Sequence, residues 1–439
     1  MLNRQIMKLA VPSIISNITI PLVGMVDLIM VGWLGGDSLI AGLSVGTTIF
    51  NFLYWNFGFL RMGTGGFTAQ AFGARDFRMA TQTLVRALIL SVMIGLAMVL
   101  LQYPIASFSM GIIESSYGVE NYALGYFYGR IWAAPATMAL YAFKGWFIGM
   151  QNSRSPMWIA LLINSVNIAV SYFLAFTMGW GIMGIGAGTA IAQWCGVIMA
   201  IIIVKGYYSR FFKHFTTEGL FDRSELAKFF KVNTDIFIRT LCLVIVFTYF
   251  TVASSYLGDT VLAANSLMMQ MFMLFSYMMD GFGHAGEALV GKYYGSGNKV
   301  MLRRTVIRVI QIGAIVAVFS TLVYMLWGEN VLMIFSPSEE LLAVAHEYIG
   351  WAMMIPMAGF LAFLVEGFLV GITASNIMRN AVIIASILFF VFYFALLPLM
   401  ANHALWLAFL IYLLLRGVLQ LFMARKKLLP QIKITNNAN

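Results

Sequence analysis

Charged residues are scarce in this sequence. Only 10% of its 439 residues are Asp, Glu, Lys or Arg, whereas a soluble globular chain carries about a quarter. Hydrophobic residues make up 61%, and the mean hydropathy is +0.87. This composition excludes an ordinary soluble domain and predicts a polytopic membrane protein. We predict an all-α fold, because the apolar runs have the length of membrane helices and helices satisfy their own backbone hydrogen bonds inside a bilayer.

Cysteine and histidine are also rare. The two cysteines, Cys195 and Cys242, lie in predicted helices without CxxC spacing, so neither a disulfide framework nor a zinc site is predicted. The histidines outside the polar linker, His284, His346 and His403, show no metal-ligand spacing, which argues against an intramembrane enzyme. A phosphate-binding loop of the GxxxxGK[ST] type is absent as well. We therefore expect no cofactor, and an ion gradient rather than ATP as the energy source.

Twelve apolar segments have the length of a membrane span. They run from 6 to 32, 39 to 72, 80 to 108, 120 to 149, 157 to 178, 184 to 205, 231 to 257, 262 to 292, 304 to 327, 342 to 371, 380 to 400 and 403 to 424. We predict two six-helix lobes, 1–205 and 231–425, joined by a polar cytoplasmic linker at 206–230 and followed by a cytoplasmic tail at 426–439.

The net charge of +10 is concentrated in every second loop. Arg75, Arg78 and the polar run from Lys205 to Lys231 fall on one side of the predicted topology, while acids such as Glu114 and Asp259 fall on the other. By the positive-inside rule, both termini are expected in the cytoplasm. We expect a multi-pass protein of a bacterial inner membrane that contacts lipids and no nucleic acid.

The two predicted lobes share one sequence register. A shift of 222 residues pairs Asp37 with Asp259, Gly73 with Gly295, Arg86 with Arg308, and residues 144–149 with residues 366–371. Because each half has an even number of spans, the repeats are parallel. Parallel repeats of this kind form a binding cavity at their interface and alternate its access, which favours a transporter.

Polar residues within the apolar segments of the first half are candidates for an ion site, since a charge at the bilayer centre costs about 2.5–3.5 kcal/mol. Asp27 follows Pro12 and Pro21 in the first span, and these prolines allow the helix to bend near the carboxylate. Asp27 is either an ion or proton site or a structural carboxylate that a neighbouring hydroxyl or amide binds.

A second polar group lies in the fifth and sixth spans. Asn167 and Ser171 are four residues apart and share a helix face, and Thr189 follows in the next span. Their oxygens suit a hard cation, but hydrogen bonds between helices would explain them equally well.

The second half carries more intramembrane charge. Asp235 and Arg239, also four residues apart, are predicted to form an ion pair. Asp280, His284 and Glu287 occupy neighbouring positions on one helix, where they could bind a cation or relay a proton.

Four further charges lie within the predicted spans. Lys144 and Glu366 occupy equivalent repeat positions with opposite charge, and a pair between them is one hypothesis. Arg61 and Arg130 have no assigned partner, and Arg61 remains a candidate for the substrate cavity.

Five segments of the chain form an ordered set of motifs: Asp27–Gly35, Phe57–Gly65, Asp235–Thr240, Asp280–Phe282 and Glu287–Gly291. Together they resemble the multidrug and toxic compound extrusion (MATE) family, in particular its DinF-like branch. The resemblance implies a V-shaped pair of six-helix lobes and antiport of organic compounds, often cationic or amphipathic, against protons or sodium.

The resemblance also implies site residues. Asp27 matches the coupling carboxylate of the family, and Asn167, Ser171 and Thr189 match the positions that complete its cation site. Relatives commonly carry Asp where Ser171 stands, and this departure favours protons, although sodium remains possible at Asp27, Asn167 and Thr189. Glu366 stands where relatives often have Asp.

We therefore predict a secondary antiporter, acting as a monomer, that exports small organic molecules in exchange for protons or sodium. The alternative is a flippase for lipids or lipid-linked oligosaccharides. A flippase for anionic head groups would line its cavity with Arg and Lys, whereas acids and amides dominate the first lobe.

Overall fold

The computed structural model of the chain describes residues 1–113, 116–213, 215–335 and 339–432. Glu114, His214 of the predicted linker and residues 433–439 of the predicted tail lie outside these ranges. Within them the secondary structure is helical throughout, which confirms the predicted all-α class.

Sixteen α-helices are present in the described ranges. They are α1 (Leu2–Leu34), α2 (Asp37–Trp55), α3 (Phe59–Gly73), α4 (Phe77–Leu100), α5 (Gln102–Ile112), α6 (Tyr117–Arg130), α7 (Ala134–Gly149), α8 (Arg154–Tyr172), α9 (Gly181–Tyr207), α10 (Ser209–Phe212), α11 (Arg223–Ser255), α12 (Asp259–Gly295), α13 (Lys299–Phe335), α14 (Glu339–Gly371), α15 (Ser375–Met400) and α16 (Asn402–Ile432).

Eleven long apolar helices of the described chain could each cross a membrane, whereas we predicted twelve. The difference lies at 120–149, where α6 ends at Arg130, a 3-10 turn spans Ile131–Ala133, and α7 begins at Ala134. Pro135 lies in the first turn of α7, a position that suits proline because the first N–H groups of a helix have no acceptor within it. The fourth predicted span therefore exists as two short helices.

The first of two compact units comprises Ile15–Ala227. It includes most of the segment that we predicted as a separate linker, and side chains of α4 explain why. Arg86 donates from Nε to the carbonyl of Leu220 and from Nη2 to that of Gly219, both at 2.7 Å. Gln82 binds the carbonyls of Thr216 and Glu218 at 3.0 Å. The backbone carbonyls of the linker thus bind side chains of α4, and these hydrogen bonds hold the linker to this unit.

The second unit comprises Met1–Ile14 and the chain from Lys228 onward, so its bounds differ from those of the lobe that we predicted at 231–425. Gly281 of α12 approaches Ile14 and the Ala10 carbonyl so closely that a Cβ atom would not fit. Arg308 of α13 also donates to Asn3 Oδ1 at 2.6 Å. The first turns of α1 therefore belong to the second unit, and its later turns to the first.

The internal repeat is visible in the backbone. Gly36 and Gly258 precede α2 and α12 with φ of 115° and 109°. Arg75 and Gly297 (φ 59° and 68°), and Gln151 and Thr373 (φ 63° and 52°), also adopt positive φ at equivalent positions. The repeats differ in helix continuity, because three helices of the second repeat are continuous where the first repeat has two. They are α12 in place of α2 and α3, α13 in place of α4 and α5, and α14 in place of α6 and α7.

Candidate functional site

Asp27 lies in α1, which is helical from Leu2 to Leu34 in spite of Pro12 and Pro21. Its side chain is buried, with 5% exposure, and its Oδ1 has no hydrogen-bond partner among the described residues. The charge that acts on it electrostatically is Arg130 of α6. A buried carboxylate oxygen without a donor is costly, so this oxygen is suited to bind a proton or cation.

Arg130, which had no partner in the sequence analysis, is the last residue of α6. Its Nη1 donates to the Tyr126 hydroxyl at 2.6 Å, and its guanidinium lies 4.8 Å from the ring centre of Phe50 and 5.5 Å from that of Tyr126. The end of a helix also presents carbonyl oxygens that favour a cation. Its Nε is buried and has no acceptor in the described structure, so one donor remains available.

Asn167, Ser171 and Thr189 lie together in the first unit. Asn167 Nδ2 donates to Thr189 Oγ1 at 2.8 Å and to Ser171 Oγ at 3.4 Å, and all three side chains are buried. In the described structure none of them hydrogen-bonds Asp27, and Asn167 Oδ1 has no donor. The three residues thus form a polar cluster with one available acceptor.

Glycines of α9 hold this cluster close to Arg130. A Cβ at Gly188 would collide with Ser171 of α8, and one at Gly186 would lie 2.5 Å from the Tyr126 carbonyl and 3.1 Å from the Arg130 nitrogen of α6. Small residues allow such close approach of membrane helices. Beyond Ser171 the chain continues as a π-helix at Phe173–Thr177, a geometry often found at functional sites.

The second unit contains a buried ion network that corrects the predicted Asp235–Arg239 pair. Arg239 binds Glu366 of α14, which also binds Arg416 of α16. Asp235 instead binds Arg379 of α15. The prediction was wrong because it considered only spacing along α11, whereas other helices supply closer partners to both side chains.

Glu366 and Lys144 each have a partner in their own unit, which replaces the hypothesis that they pair. Glu366 binds Arg239, and Lys144 Nζ donates to Asn17 Oδ1 at 3.1 Å. Asn17 and Arg239 are equivalent repeat positions, so both repeats place a polar contact here. Only the second repeat makes it an ion pair.

The remaining predicted residues have separate surroundings. Asp280 acts electrostatically on Arg239 and Arg416 and thus belongs to the network around Glu366. His284 and Glu287 are buried. In the part of the chain that the structure describes, no group of three His, Cys, Asp or Glu side chains is arranged to hold a metal ion. A cation or proton role for Asp280, His284 and Glu287 stays a prediction. Arg61 acts electrostatically on Tyr141.

Sequence reasoning missed Arg379 and Arg416. Arg416 is the one charged residue between Ala404 and Ala424, and an isolated charge in an apolar helix is itself a signal that it faces a polar partner. Tyr126 and Phe50, which hold Arg130, gave no such signal, because aromatic residues are abundant throughout the chain.

Comparison with known proteins identifies relatives of the whole chain. The MatE family model matches residues 12–173 and 236–395. DNA damage-inducible protein F of Escherichia coli K12 is 31% identical over 418 residues, 95% of this chain and 90% of that protein. A probable multidrug resistance protein NorM of Acinetobacter baylyi is 26% identical over 68% of each chain.

Solved structures agree on the fold. A crystal structure of MATE in the bent conformation aligns with a TM-score of 0.88 at 17% identity, over 98% of this chain and 96% of that one. An outward-facing MATE family transporter aligns with a TM-score of 0.86 at 17% identity, over 99% and 97%.

Proposed function

The chain belongs to the MatE family of multidrug and toxic compound efflux transporters, and from that premise we propose that it exports organic cations or amphipathic compounds in exchange for protons. It acts as a monomer in the bacterial inner membrane, with both termini in the cytoplasm. The NorM relatives are named as probable multidrug resistance proteins, which supports a substrate class of this breadth.

The observation that carries the choice of ion is the unpaired oxygen of Asp27. Oδ1 is buried without a donor, and a bound proton would both neutralise the carboxylate and supply a donor of its own. The polar cluster of Asn167, Ser171 and Thr189 has a hydroxyl at Ser171, where a second carboxylate would strengthen metal binding. A proton needs one oxygen, whereas a sodium ion needs several at once.

In the exchange that we propose, Asp27 is protonated from the outer side and the substrate leaves. Pro12 and Pro21 allow α1 to change its bend as the charge of Asp27 is lost. When the site opens inward, the proton is released. One charge moving inward through 100 mV yields about 2.3 kcal/mol, sufficient for roughly a 50-fold substrate gradient at about 1.4 kcal/mol per decade.

The test is uptake of a fluorescent organic cation by proteoliposomes in which pH and sodium gradients are imposed separately. We expect uptake driven by the pH gradient and unaffected by sodium. Uptake driven by sodium alone would contradict proton coupling. If neither gradient drives uptake while a labelled lipid is translocated in the same vesicles, the flippase replaces the antiporter.

A further inference from the structure

A short helix, α5, is present in the first repeat without a counterpart in the second. α4 ends at Leu100 and α5 begins at Gln102, with Pro104 in its first turn. The second repeat has Leu326 at the equivalent position, and α13 is continuous there from Lys299 to Phe335. Discontinuous membrane helices often form the ion or substrate site of a transporter, so the surroundings of α5 are a place to look for a ligand.

A cavity of about 490 Å³ lies between α5 and α6, within the first unit. Small-molecule sites have volumes of about 300–1,000 Å³. Of the α5 residues only Ala106 is buried, so this helix packs loosely and leaves the space open. Asp27 does not line the cavity, which is therefore distinct from the candidate ion site. The side chains that give the cavity its chemistry are Tyr103, Ser107, Met110, Glu120, Leu124 and Tyr128.

Glu120 is the one charged residue among those that line the cavity. No hydrogen bond or ion pair joins its carboxylate to another of the described residues. A carboxylate in partly apolar surroundings attracts a cation and repels an anion. The lining has no second carboxylate and no His or Cys, whereas hard metal ions need several oxygen ligands. The cavity therefore favours a cation that needs one countercharge and apolar contact.

Two tyrosines, one from each helix, supply that contact. The ring centres of Tyr103 and Tyr128 are 5.6 Å apart, with an angle of 49° between the ring planes. Aromatic faces attract ammonium and other organic cations within about 6 Å, and quaternary ammonium ligands are commonly bound by groups of aromatic rings. Met110 and Leu124 add apolar surface, and the thioether of Met110 can adapt to ligands of different shape.

This combination of side chains is specific to the first repeat. The positions of Tyr103, Glu120 and Tyr128 are occupied in the second repeat by Met325, Leu342 and Gly350. The second repeat thus has neither the carboxylate nor the two rings, so the symmetry of the fold does not explain their presence in the first.

We propose that this cavity is a second binding site for organic cations, such as quaternary ammonium or phosphonium compounds. The positive charge faces Glu120, and the apolar groups lie against the rings of Tyr103 and Tyr128. In the predicted topology the turn between α5 and α6 lies on the outer side of the membrane, so the site is loaded from that side. The inference rests on the proposed export function for the class of compound, but binding here needs no ion gradient.

The test measures whether an organic cation shields the cavity from a thiol reagent. In purified full-length protein with Cys195→Ala and Cys242→Ala, Ser107→Cys places a thiol in the cavity wall, and uncharged N-ethylmaleimide labels it. Tetraphenylphosphonium should slow this labelling in a saturable manner. Ser116→Cys, at an exposed position just before α6 that does not line the cavity, should be labelled at the same rate with and without the cation.

Second changes in the Ser107→Cys background identify the groups that bind. Glu120→Gln should raise the concentration of tetraphenylphosphonium for half-maximal protection by about tenfold, because the countercharge is lost, whereas Glu120→Asp should keep most of the protection. Tyr128→Leu should raise that concentration several-fold, and Tyr128→Phe, which keeps the ring, should leave it unchanged. Asp37→Asn removes an exposed acid outside the cavity and should have no effect.

Labelling of Ser107→Cys that tetraphenylphosphonium does not slow would overturn the proposal, as would undiminished protection in Glu120→Gln at an unchanged melting temperature. Protection that is lost in phosphatidylethanolamine nanodiscs and kept in phosphatidylglycerol nanodiscs would assign the cavity to a lipid head group and would overturn it too. Because labelling needs no gradient, protection without uptake would refute the antiporter and leave this site standing. Uptake without protection would refute this site alone.

Discussion

At the scale of single residues, Glu366 shows how buried charges depend on one another. Its carboxylate binds Arg239 and Arg416, and the exposure of the three side chains is between 3% and 11%. In Glu366→Gln both arginines lose their anionic partner in a low-dielectric interior. We expect a loss of about 3–5 kcal/mol in the free energy of unfolding, because removal of one member of a buried ion network leaves uncompensated charge.

Thermal unfolding in detergent, followed by intrinsic fluorescence, measures this loss. Glu347→Gln is the matched control, since Glu347 is 59% exposed and its contact with His403, at 3.5 Å, is a surface pair worth at most about 1 kcal/mol. Equal melting temperatures for the two variants would mean that the Glu366 network does not stabilise the unit.

Individual polar residues were easier to find from the sequence than their partners. Asp27 and Glu366 are conspicuous because each interrupts an apolar stretch. The charges that act on them are not conspicuous: Arg130, which acts electrostatically on Asp27, lies on α6, and Arg416, which binds Glu366, is 50 residues further along the chain. Helical spacing suggested Asp235 with Arg239, but spacing reports only neighbours on the same helix.

At the scale of helices, the approach of α8 to α9 depends on glycine. Gly188→Ala would place a methyl group against the hydroxyl and the backbone of Ser171. Backbone atoms of a packed helix cannot move aside as a flexible side chain could. We expect the helices to separate by a few tenths of an ångström, with a cost of about 1–3 kcal/mol for overpacking and weakened contact between Asn167 and Thr189.

Gly206→Ala is the control within the same helix, because nothing lies within 4 Å of a Cβ at that position. Alanine there should be neutral or stabilise the helix by about 0.5–1 kcal/mol. Both the melting temperature and uptake of the fluorescent cation should decrease for Gly188→Ala alone. If both variants match the wild type, close packing at Gly188 does not matter to the site.

Helix positions were predictable because apolar runs of membrane length are separated by short polar segments, as at Gly36 and Gly258. The break at Ile131–Ala133 was not, because hydropathy averages over the residues around Arg130 and Pro135. Arg130 and Pro135 together were the available signal: a charge and a helix-breaking residue five positions apart within one apolar run.

At the scale of the molecule, each compact unit includes residues that the sequence assigned elsewhere. The polar composition of 206–230 predicts a linker, but it does not show which side chains bind the carbonyls of that linker. Arg86 donates to the carbonyls of Gly219 and Leu220. Arg308, the equivalent residue of the other repeat, donates to the side chain of Asn3.

Arg86→Gln should therefore release the linker. Loss of hydrogen bonds from a charged donor costs about 1.5–3 kcal/mol each, so the segment should open more often. Phe221 is 67% exposed, and we expect chymotrypsin to cleave beside it several times faster in the variant than in the wild type. Arg223→Gln changes an exposed arginine of the same segment, at the start of α11, and should leave the cleavage rate unchanged. Equal rates in all three proteins would show that Arg86 does not fix the linker.

The central claim is that Asp27 carries the ion that drives export, and substrate-induced proton movement tests it most directly. Organic cation is added to proteoliposomes with an internal pH indicator, using the wild type, Asp27→Asn, and Asp37→Asn as the control at an exposed acid of the same unit. We predict proton movement for the wild type and Asp37→Asn, and none for Asp27→Asn even where substrate binding, followed by tryptophan fluorescence, is retained. Proton movement at the wild-type rate in Asp27→Asn would contradict the account.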